Sequence, residues 1–520
     1  MGRRIRWLGV IMVVCLGLVV VQLVNIQLVK AKQLQNSPNN PEVAAQKYNN
    51  PRGTISAADG TVLAKSVPTP AGTNQSEYPY AYVRQYPQGP LFAGITGYSS
   101  ALYYGTAGIE EQYDSFLGPH QQSPQTLSQL IFRQTQPTIT DNVTLTVEPA
   151  LQQVAWDALT STEGHNDGAV VVMQPSTGSI LAMVSNPTFD PNPLASTSLQ
   201  AEQLAYLTYT QKDGENFQPL QPIATGYAFP PGSTMKVVTS TAAYNLKPAL
   251  AGFNYPVQRC QTFSDAPGQP LCDQSGPCGG MMTQMLPFSC DPGYAELGVQ
   301  LGVPIMTKQA ELFGYNSVPG IDLPNVSKSV FPDLPDKSQS QLGQSAIGQF
   351  DVSATALQNA MVAAGIANKG VLMTPHLMSS IHDSQGASVQ TYTPKAAATV
   401  ATAQAAQQVT SLMESVITNP QGTAAGVGFP SYLCAAVKTG TAQTDKATGL
   451  TDTWMIGFAP ANNPQVAVAV VVPEQANSSD GAHIAGPIMN RVLQAAVPQS
   501  SVSQPCTVQA VPTASFASAS

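Results

Sequence analysis

The sequence predicts an α+β protein whose larger part is one antiparallel sheet with helices packed on its faces. Apolar, strand-like runs lie at both ends of residues 143–497, and segments with helical spacing fill the middle. Strands that are separated in this way along the chain can share one sheet if the intervening helices cover it. An apolar N-terminal segment and a polar stretch, residues 30–142, precede this part.

Bulk composition narrows the possible functions. The 520 residues suffice for two or three domains, and only 10% of them are charged, with a net charge of -8. Such a chain offers no basic surface for nucleic acid, so a nucleic-acid partner is not expected. With 5 histidines and no His-x-x-x-His pair, neither a catalytic metal nor another cofactor is predicted.

The N-terminus predicts a single membrane anchor. Residues 1–6 carry three arginines, and residues 7–29 form an apolar run with only three polar side chains. This run matches one bilayer thickness of helix, with the arginines on the cytoplasmic side. A cleaved signal peptide is the competing interpretation, because Val29-Lys30-Ala31 is compatible with cleavage. The length of the run favours the anchor, which places the rest of the chain outside the cytoplasm.

Residues 30–142 predict a small mixed domain. Two short strands are expected around the turn at Asp59-Gly60, and a helix is expected from about Gly108 to Gly118. The region has no paired-carboxylate motif of the kind that a glycosyltransferase needs. We therefore expect a non-catalytic pedestal.

Six cysteines follow the N-terminal segment. Four of them crowd into a Gly/Pro-rich region without histidine: Cys260, Cys272, Cys278 and Cys290. This pattern favours disulfides over a zinc site, and with them an oxidising location. Free buried thiols are the alternative, and the sequence leaves the pairing open.

The larger domain, residues 143–497, has a regular order of predicted elements. A helix follows Pro149, and a hairpin of two buried strands surrounds residues 175–178. Further helices are predicted from about Ser233, after an N-cap at Ser353, and over residues 396–417. Three strands near Lys438, at residues 454–460 and at 466–472 then form a meander before a helix at 484–496. Residues 498–520 predict a disordered tail.

Three short motifs in this domain indicate acyl transfer. Ser233 and Lys236 stand three residues apart at a helix start, which puts a hydroxyl and an amine on one face. Ser289-Cys290-Asp291 follows, and Lys438-Thr439-Gly440-Thr441 ends an apolar strand. Ser-x-x-Lys, Ser-x-Asn/Asp and Lys-Thr-Gly in this order form the active-site set of penicillin-binding proteins and serine β-lactamases.

From about Arg52 to Val497 the chain resembles class B penicillin-binding proteins, which are peptidoglycan D,D-transpeptidases, and Arg84 to Pro87 and Leu91 to Tyr98 resemble the actinobacterial branch. The resemblance implies a penicillin-binding-protein/serine β-lactamase-like transpeptidase domain behind a dimerisation-like pedestal. The expected divisions are a cytoplasmic N-terminus (1–6), a transmembrane helix (7–29), a pedestal (30–142), a transpeptidase domain (143–497) and a tail (498–520).

The resemblance also implies roles in the reaction. Ser233 would attack the carbonyl of a D-Ala-D-Ala stem peptide, and a neutral Lys236 would take its proton. Burial and a positive charge on Lys438 would favour that neutral amine. Ser289 would relay a proton to the leaving nitrogen.

The remaining motif residues would bind and orient the substrate. Lys438 and Thr439-Gly440-Thr441 would hold its carboxylate, and the backbone N–H groups of Ser233 and Thr441 would form the oxyanion hole. Asp291 stands where most relatives have asparagine. An ionised aspartate can accept a hydrogen bond from Lys236 but cannot donate one to substrate, whereas a protonated one could.

Two rival functions remain open at this stage. A D,D-carboxypeptidase or β-lactamase would use water as the acceptor, and an idle scaffold would only position a partner glycosyltransferase. The expected partners of the transpeptidase are stem peptides on a lipid-linked precursor, β-lactams, the membrane, a polytopic membrane glycosyltransferase and other division or elongation proteins.

Overall fold

The computed structural model describes residues 2–25, 47–121, 138–161, 167–211, 217–445, 449–476 and 479–501. It begins with a helix at Gly2–Val24. Within these ranges no helix combines the length and the hydropathy that a bilayer crossing needs. Residues 26–29 of the predicted anchor and residues 502–520 of the predicted tail lie outside the described ranges.

The pedestal is built on a six-stranded sheet that also takes in strands of the larger domain. The strands that flank Asp59-Gly60 pair antiparallel, as predicted. The spatial order is Ser388–Thr391, Met378–His382, Asn142–Leu145, Ile55–Ser56, Val62–Pro68 and Tyr82–Gln85. The helix predicted before Gly118 is two short helices, Ile109–Gln112 and Asp114–Leu117, because the backbone of Tyr113 leaves the helical region.

A buried ion cluster fixes the pedestal. Glu110 is fully buried, and its carboxylate accepts hydrogen bonds from Arg52 Nε at 2.5 Å and Arg84 Nε at 2.6 Å. A buried charge of this kind is tolerated because it is paired and hydrogen-bonded. The carboxylate therefore has a structural role, which agrees with a non-catalytic pedestal.

The larger domain contains the predicted five-stranded antiparallel sheet. Its order is Ala436–Asp445, Leu450–Ala459, Val466–Ala476, Gly168–Met173 and Ile180–Asn186. The two ends of the domain therefore meet in one sheet, as the strand-like runs at residues 169–184 and 436–472 predicted. The strand Ala436–Asp445, which carries the third motif, lies at the edge of the sheet.

Helices cover both faces of this sheet. Trp454 and Met455 are neighbours on one strand, so their side chains point to opposite faces. Trp454 contacts the segment before Ser233, whereas Met455 approaches Gly486 of the C-terminal helix. The helices on the sheet are Pro149–Thr160, Ala356–Ala367 and Ala485–Ala496. Every residue of Ala356–Ala367 is buried, and its two polar side chains, Gln358 and Asn359, are hydrogen-bonded to Phe313 and Thr234.

Three local predictions are wrong. The third motif was predicted to end an apolar strand, but Lys438 is the third residue of strand Ala436–Asp445, which continues through polar residues beyond Thr441. The N-cap of Ala356–Ala367 is Thr355, whose side chain accepts from Gln358 N, while Ser353 pairs with Val330 in a β-bridge. Residues 396–399 form a strand, and the predicted helix begins later, at Ala403–Thr418. The other helices of eight or more described residues are Leu199–Thr210, Met235–Leu246, Asp291–Leu301, Val303–Leu312 and Gln339–Ala346.

The crowded cysteines form two disulfides, Cys260–Cys272 and Cys278–Cys290. The first closes the hairpin of strands Cys260–Phe263 and Ala266–Cys272. The second ties strand Cys278–Gly280 to the start of helix Asp291–Leu301. Cys434 is disulfide-bonded as well. The prediction of disulfides is confirmed, and the free-thiol alternative is excluded for these five cysteines.

Candidate active site

The segment before Ser233 is held in place by close contacts at Gly232 and by a hydrogen bond from Trp454 of the sheet. Gly232 has a φ of +54°, and a side chain there would meet the Thr441 carbonyl. Its N–H donates to the Gly348 carbonyl at 2.9 Å. Trp454 Nε1 donates to the Pro230 carbonyl at 2.9 Å. These contacts place Ser233 beside the edge strand, one short turn before helix Met235–Leu246.

Lys236 lies on the first turn of that helix and is fully buried. Its Nζ donates to Asp291 Oδ1 at 2.5 Å, to the Ser289 carbonyl at 2.5 Å and to Ser289 Oγ at 3.2 Å. Among the described residues, the Ser233 side chain has no hydrogen-bond partner. Ser233 and Lys236 are thus both at the site, but the Lys236 amine is hydrogen-bonded to the second motif and not to Ser233.

The second motif lies in a strained turn between two helices. Ser289 has a φ of +58°, an uncommon value for a residue with a side chain. Cys290 is held by its disulfide, and Asp291 begins helix Asp291–Leu301. The turn directs Ser289 Oγ between the two lysines, 3.2 Å from Lys236 Nζ and 3.0 Å from Lys438 Nζ. A hydroxyl in this position can pass a proton between neighbours.

The third motif lies on the edge strand Ala436–Asp445. Lys438 is fully buried and donates to Ser289 Oγ at 3.0 Å and to the Thr439 carbonyl at 2.8 Å. Burial, and then the charge of Lys236, hold the pKa of Lys438 well below its ordinary value, against the opposing effect of Asp291. From the sequence, we predicted a positively charged Lys438 that would favour the neutral amine of Lys236. The structure shows that Lys438 is itself a lysine whose environment disfavours the cation.

The predicted substrate-binding residues Thr439 and Thr441 line an open cleft of about 860 Å³ beside Ser233. Thr439 Oγ1 lies 2.8 Å from Thr423 Oγ1, and Thr441 Oγ1 accepts from the Gly481 N–H at 3.3 Å. A side chain at Gly440 would run into the Pro231 carbonyl and Trp454, so the backbone can approach the nucleophile only with glycine there. Five of the eight predicted site residues therefore line the cleft, and Lys236 and Lys438 are joined to it through their hydrogen bonds to Ser289.

Several cleft residues were not predicted. Thr423, Phe350 and Asp273 also line the cleft. Phe350 has a φ of +60°, a strained position for an aromatic residue. Asp273 directly follows Cys272, and no pattern in the sequence marks it as part of the site. Asp273, Cys278 and Cys290 form a group of potential metal ligands among the described residues, but the two sulfurs are joined in one disulfide and so are not thiolate ligands.

Comparison with known proteins identifies the family. Residues 168–494 match the penicillin binding protein transpeptidase domain, and residues 52–142 match the penicillin binding protein A dimerisation domain. The chain belongs to the penicillin-binding protein family. The resemblance proposed from the motifs and the transpeptidase fold are thereby confirmed.

Several relatives of this penicillin-binding protein share its whole length. It is 34% identical to the peptidoglycan D,D-transpeptidase PbpA of Mycolicibacterium smegmatis, over 96% of this chain and 100% of the relative. It is 32% identical to PbpA of Mycobacterium tuberculosis, over 96% and 99%.

Solved structures of penicillin-binding protein A from M. tuberculosis are similar to this chain. Its ceftriaxone acyl-enzyme complex has a TM-score of 0.76 and 31% identity and covers 86% of this chain and 99% of that one. Its penicillin G acyl-enzyme complex has a TM-score of 0.74 at the same identity and covers 86% and 100%.

Proposed function

We propose that this penicillin-binding protein is a peptidoglycan D,D-transpeptidase that forms an acyl-enzyme on Ser233 and serves cell wall synthesis. The observation that supports this most strongly is the position of Ser289 Oγ between Lys236 Nζ and Lys438 Nζ, at 3.2 and 3.0 Å, in the cleft that contains Ser233. A nucleophile, two amines and a relay hydroxyl in one place are the parts that acyl transfer needs without histidine.

The first half of the reaction would acylate the serine. The carboxylate of a D-Ala-D-Ala stem would bind at Thr439 and Thr441, with the scissile carbonyl oxygen at the backbone N–H groups of Ser233 and Thr441. Ser233 Oγ would bond to the carbonyl carbon while its proton moves to a neutral Lys236. The C–N bond would then break, and the leaving D-alanine would take a proton through Ser289.

The second half would transfer the acyl group. The amine of a neighbouring stem would attack the ester and lose a proton to the lysine, and the Ser233 C–O bond would break as Oγ regains a proton. The products would be one cross-linking amide and the free enzyme. A β-lactam would follow only the first half and remain on the serine.

Labelled penicillin tests the nucleophile. We expect one covalent adduct per chain, mapped to Ser233 by mass spectrometry and absent in Ser233→Ala. An adduct on another serine would overturn the assignment, and the absence of any adduct would support the idle scaffold. Product analysis with a stem-peptide donor and an amine acceptor then separates transfer from hydrolysis: a cross-linked amide supports the proposal, and release of the free acid alone supports a carboxypeptidase.

We further propose that the N-terminal segment is a single-pass anchor and that the cleft faces the outside of the cell membrane. Three arginines precede the segment, and helix Gly2–Val24 has an exposed apolar surface that includes Trp7, Met12 and Leu16. The resemblance to class B penicillin-binding proteins, rather than this segment, is what supports a polytopic membrane glycosyltransferase as the expected partner class. Protease added to intact spheroplasts should digest the Ser233 domain, and protection of most of the chain would contradict this topology.

A further inference from the structure

We infer that Asp273 is a positioning residue that holds the second motif in its catalytic geometry. Asp273 lies on the wall of the active-site cleft, is 6% exposed, and accepts a hydrogen bond from the backbone of Asp291. This inference rests on the proposed function, since it assigns Asp273 a role in the same site.

The carboxylate of Asp273 caps the helix that begins with the second motif. Its Oδ2 accepts the N–H of Asp291 at 3.1 Å, and its Oδ1 accepts the N–H of Ser275 at 2.9 Å. Helix Asp291–Leu301 has Cys290 at its N-cap position without a side-chain capping bond. The cap therefore comes from a residue earlier in the chain, and its negative charge also suits the positive end of the helix.

Asp273 itself is firmly held. Its N–H donates to the Arg259 carbonyl at 2.8 Å, and it directly follows the Cys260–Cys272 disulfide. Its Oδ2 lies 3.5 Å from Cys278 Sγ, which is bonded to the residue between Ser289 and Asp291. The disulfide and the carboxylate thus hold successive residues of the second motif, Cys290 and Asp291.

The position of this backbone decides the contacts of Lys236. Asp291 Oδ1 and Ser289 Oγ, which lie 2.5 and 3.2 Å from Lys236 Nζ, are on either side of Cys290. Ser289 also has a φ of +58°, so the turn would relax if its restraints were removed. If the cap is lost, both acceptors move relative to the amine. Burial raises the pKa of Asp273 and the charge of Asp291 raises it further, against the hydrogen bonds from Asp291 and Ser275 and the charge of Lys236. As pH falls, the cap should therefore weaken at a higher pH than a cap made by an ordinary aspartate.

Asp273→Asn is the test substitution, because the N–H groups of Asp291 and Ser275 bond to different oxygens of the carboxylate, and an amide replaces one of these oxygens by an NH2 donor. Asp265→Asn is the matched control. Asp265 is an exposed carboxylate at the turn of the same hairpin and accepts the Ser340 N–H at 3.1 Å, near the start of a helix that carries none of the three motifs. The measurements are the rate of acylation by a fluorescent penicillin as a function of its concentration, which separates initial binding from the acylation step, from pH 5 to 9, and the melting temperature.

We expect Asp273→Asn to slow acylation by about tenfold or more, the range for a lost hydrogen bond to a charged group. The loss should lie in the acylation step and not in initial binding, and the acid limb of the pH profile should change. Asp265→Asn should acylate like the parent. Because Asp273 acts through the second motif, its effect should also shrink when Asp291→Asn is already present, so that the two changes are not additive.

Three outcomes would overturn the inference: acylation of Asp273→Asn at the parent rate, equal losses in Asp273→Asn and Asp265→Asn, or a loss from Asp273→Asn that is as large in the Asp291→Asn background as in the parent. A fall in melting temperature without a change in acylation or pH profile would also assign Asp273 to stability alone. Failure of the proposed function looks different, because then the parent and the Asp265→Asn control would not be acylated either.

Discussion

Replacing Asp291 by asparagine should speed acylation, or at least leave it as fast as in the parent, near neutral pH. The Asp291 carboxylate lies 2.5 Å from Lys236 Nζ, and Lys236 is fully buried. This contact stabilises the ammonium form of Lys236, which cannot take a proton from Ser233. Asparagine would still accept a hydrogen bond from the amine through its oxygen, and its NH2 group could donate to the substrate amide.

The size of the effect follows from the kind of contact that is lost. A hydrogen bond to a charged group is worth about 1.5–3 kcal/mol, against about 1 kcal/mol for a neutral one. The difference of about 0.5–2 kcal/mol corresponds to roughly two- to thirtyfold faster acylation, since 1.4 kcal/mol is one factor of ten. We expect the low end of this range because the Asp291 side chain is 32% exposed, so water screens its charge. Lys438 does not take over the lost contact with Lys236, because the Lys438 Nζ is hydrogen-bonded to Ser289 and Thr439.

The assay is the rate of acylation by a fluorescent penicillin as a function of pH. In Asp291→Asn the rise of the rate with pH should occur at lower pH than in the parent. Asp480→Asn is a suitable control, because Asp480 also lines the cleft but pairs with the exposed His483. A fall of acylation by orders of magnitude in Asp291→Asn would refute the reasoning and assign the carboxylate a specific catalytic role.

Three further predictions test the site and the fold. Ser289→Ala should slow acylation by about a hundredfold or more, which is the usual scale for the loss of a proton-transfer group. The Ser233 adduct should still form at long times, and an unchanged rate would exclude a relay role for Ser289. Lys438→Met should abolish efficient acylation. Its melting temperature near pH 7 should be equal to that of the parent or higher, because a buried amine with a lowered pKa destabilises the fold. A lower melting temperature would contradict this. Burial raises the pKa of Glu202 to about 7, so the folded state loses stability as pH rises from about 4.5 through 7. Glu202→Gln should therefore raise stability above pH 7 by up to about 3 kcal/mol and flatten this pH dependence, as measured by denaturant unfolding; a variant that keeps the parent's pH dependence would contradict the assignment.

The strands and helices with strong hydrophobic periodicity were predictable from the sequence, and so was the acyl-transfer chemistry of the three motifs. Four of the five strands of the transpeptidase sheet contain apolar runs, the edge strand Ala436–Asp445 is mostly polar, and the five strands pair as expected. The three motifs meet at the cleft because each lies on an element that packs against the others: a helix start, a tethered turn and an edge strand. Such local signals depend on residue types at fixed short spacings, which a sequence displays directly.

The errors arose where tertiary contacts decide between similar local signals. Ser353 and Thr355 are both good N-cap residues, and the bridge between Ser353 and Val330 leaves the cap to Thr355. Residues 396–399 have helical composition, but they pair as a strand with Val371–Met373. A partner on another strand overrides the weak preference of a short alanine-rich segment.

The supporting residues of the site carry no signature because their function is set by distance in space. Asp273 and Asp291 are 18 residues apart, and only the fold brings carboxylate and N–H together. Ser289 shows why such support is needed: its positive φ costs about 1–3 kcal/mol and persists only if the surroundings fix it. The Cys278–Cys290 disulfide and the bond from Asp291 N–H to Asp273 supply that restraint on the residues that follow it. Motif residues can therefore be read from a sequence, whereas the geometry that makes Ser289 Oγ reach both lysines depends on residues that only the structure identifies.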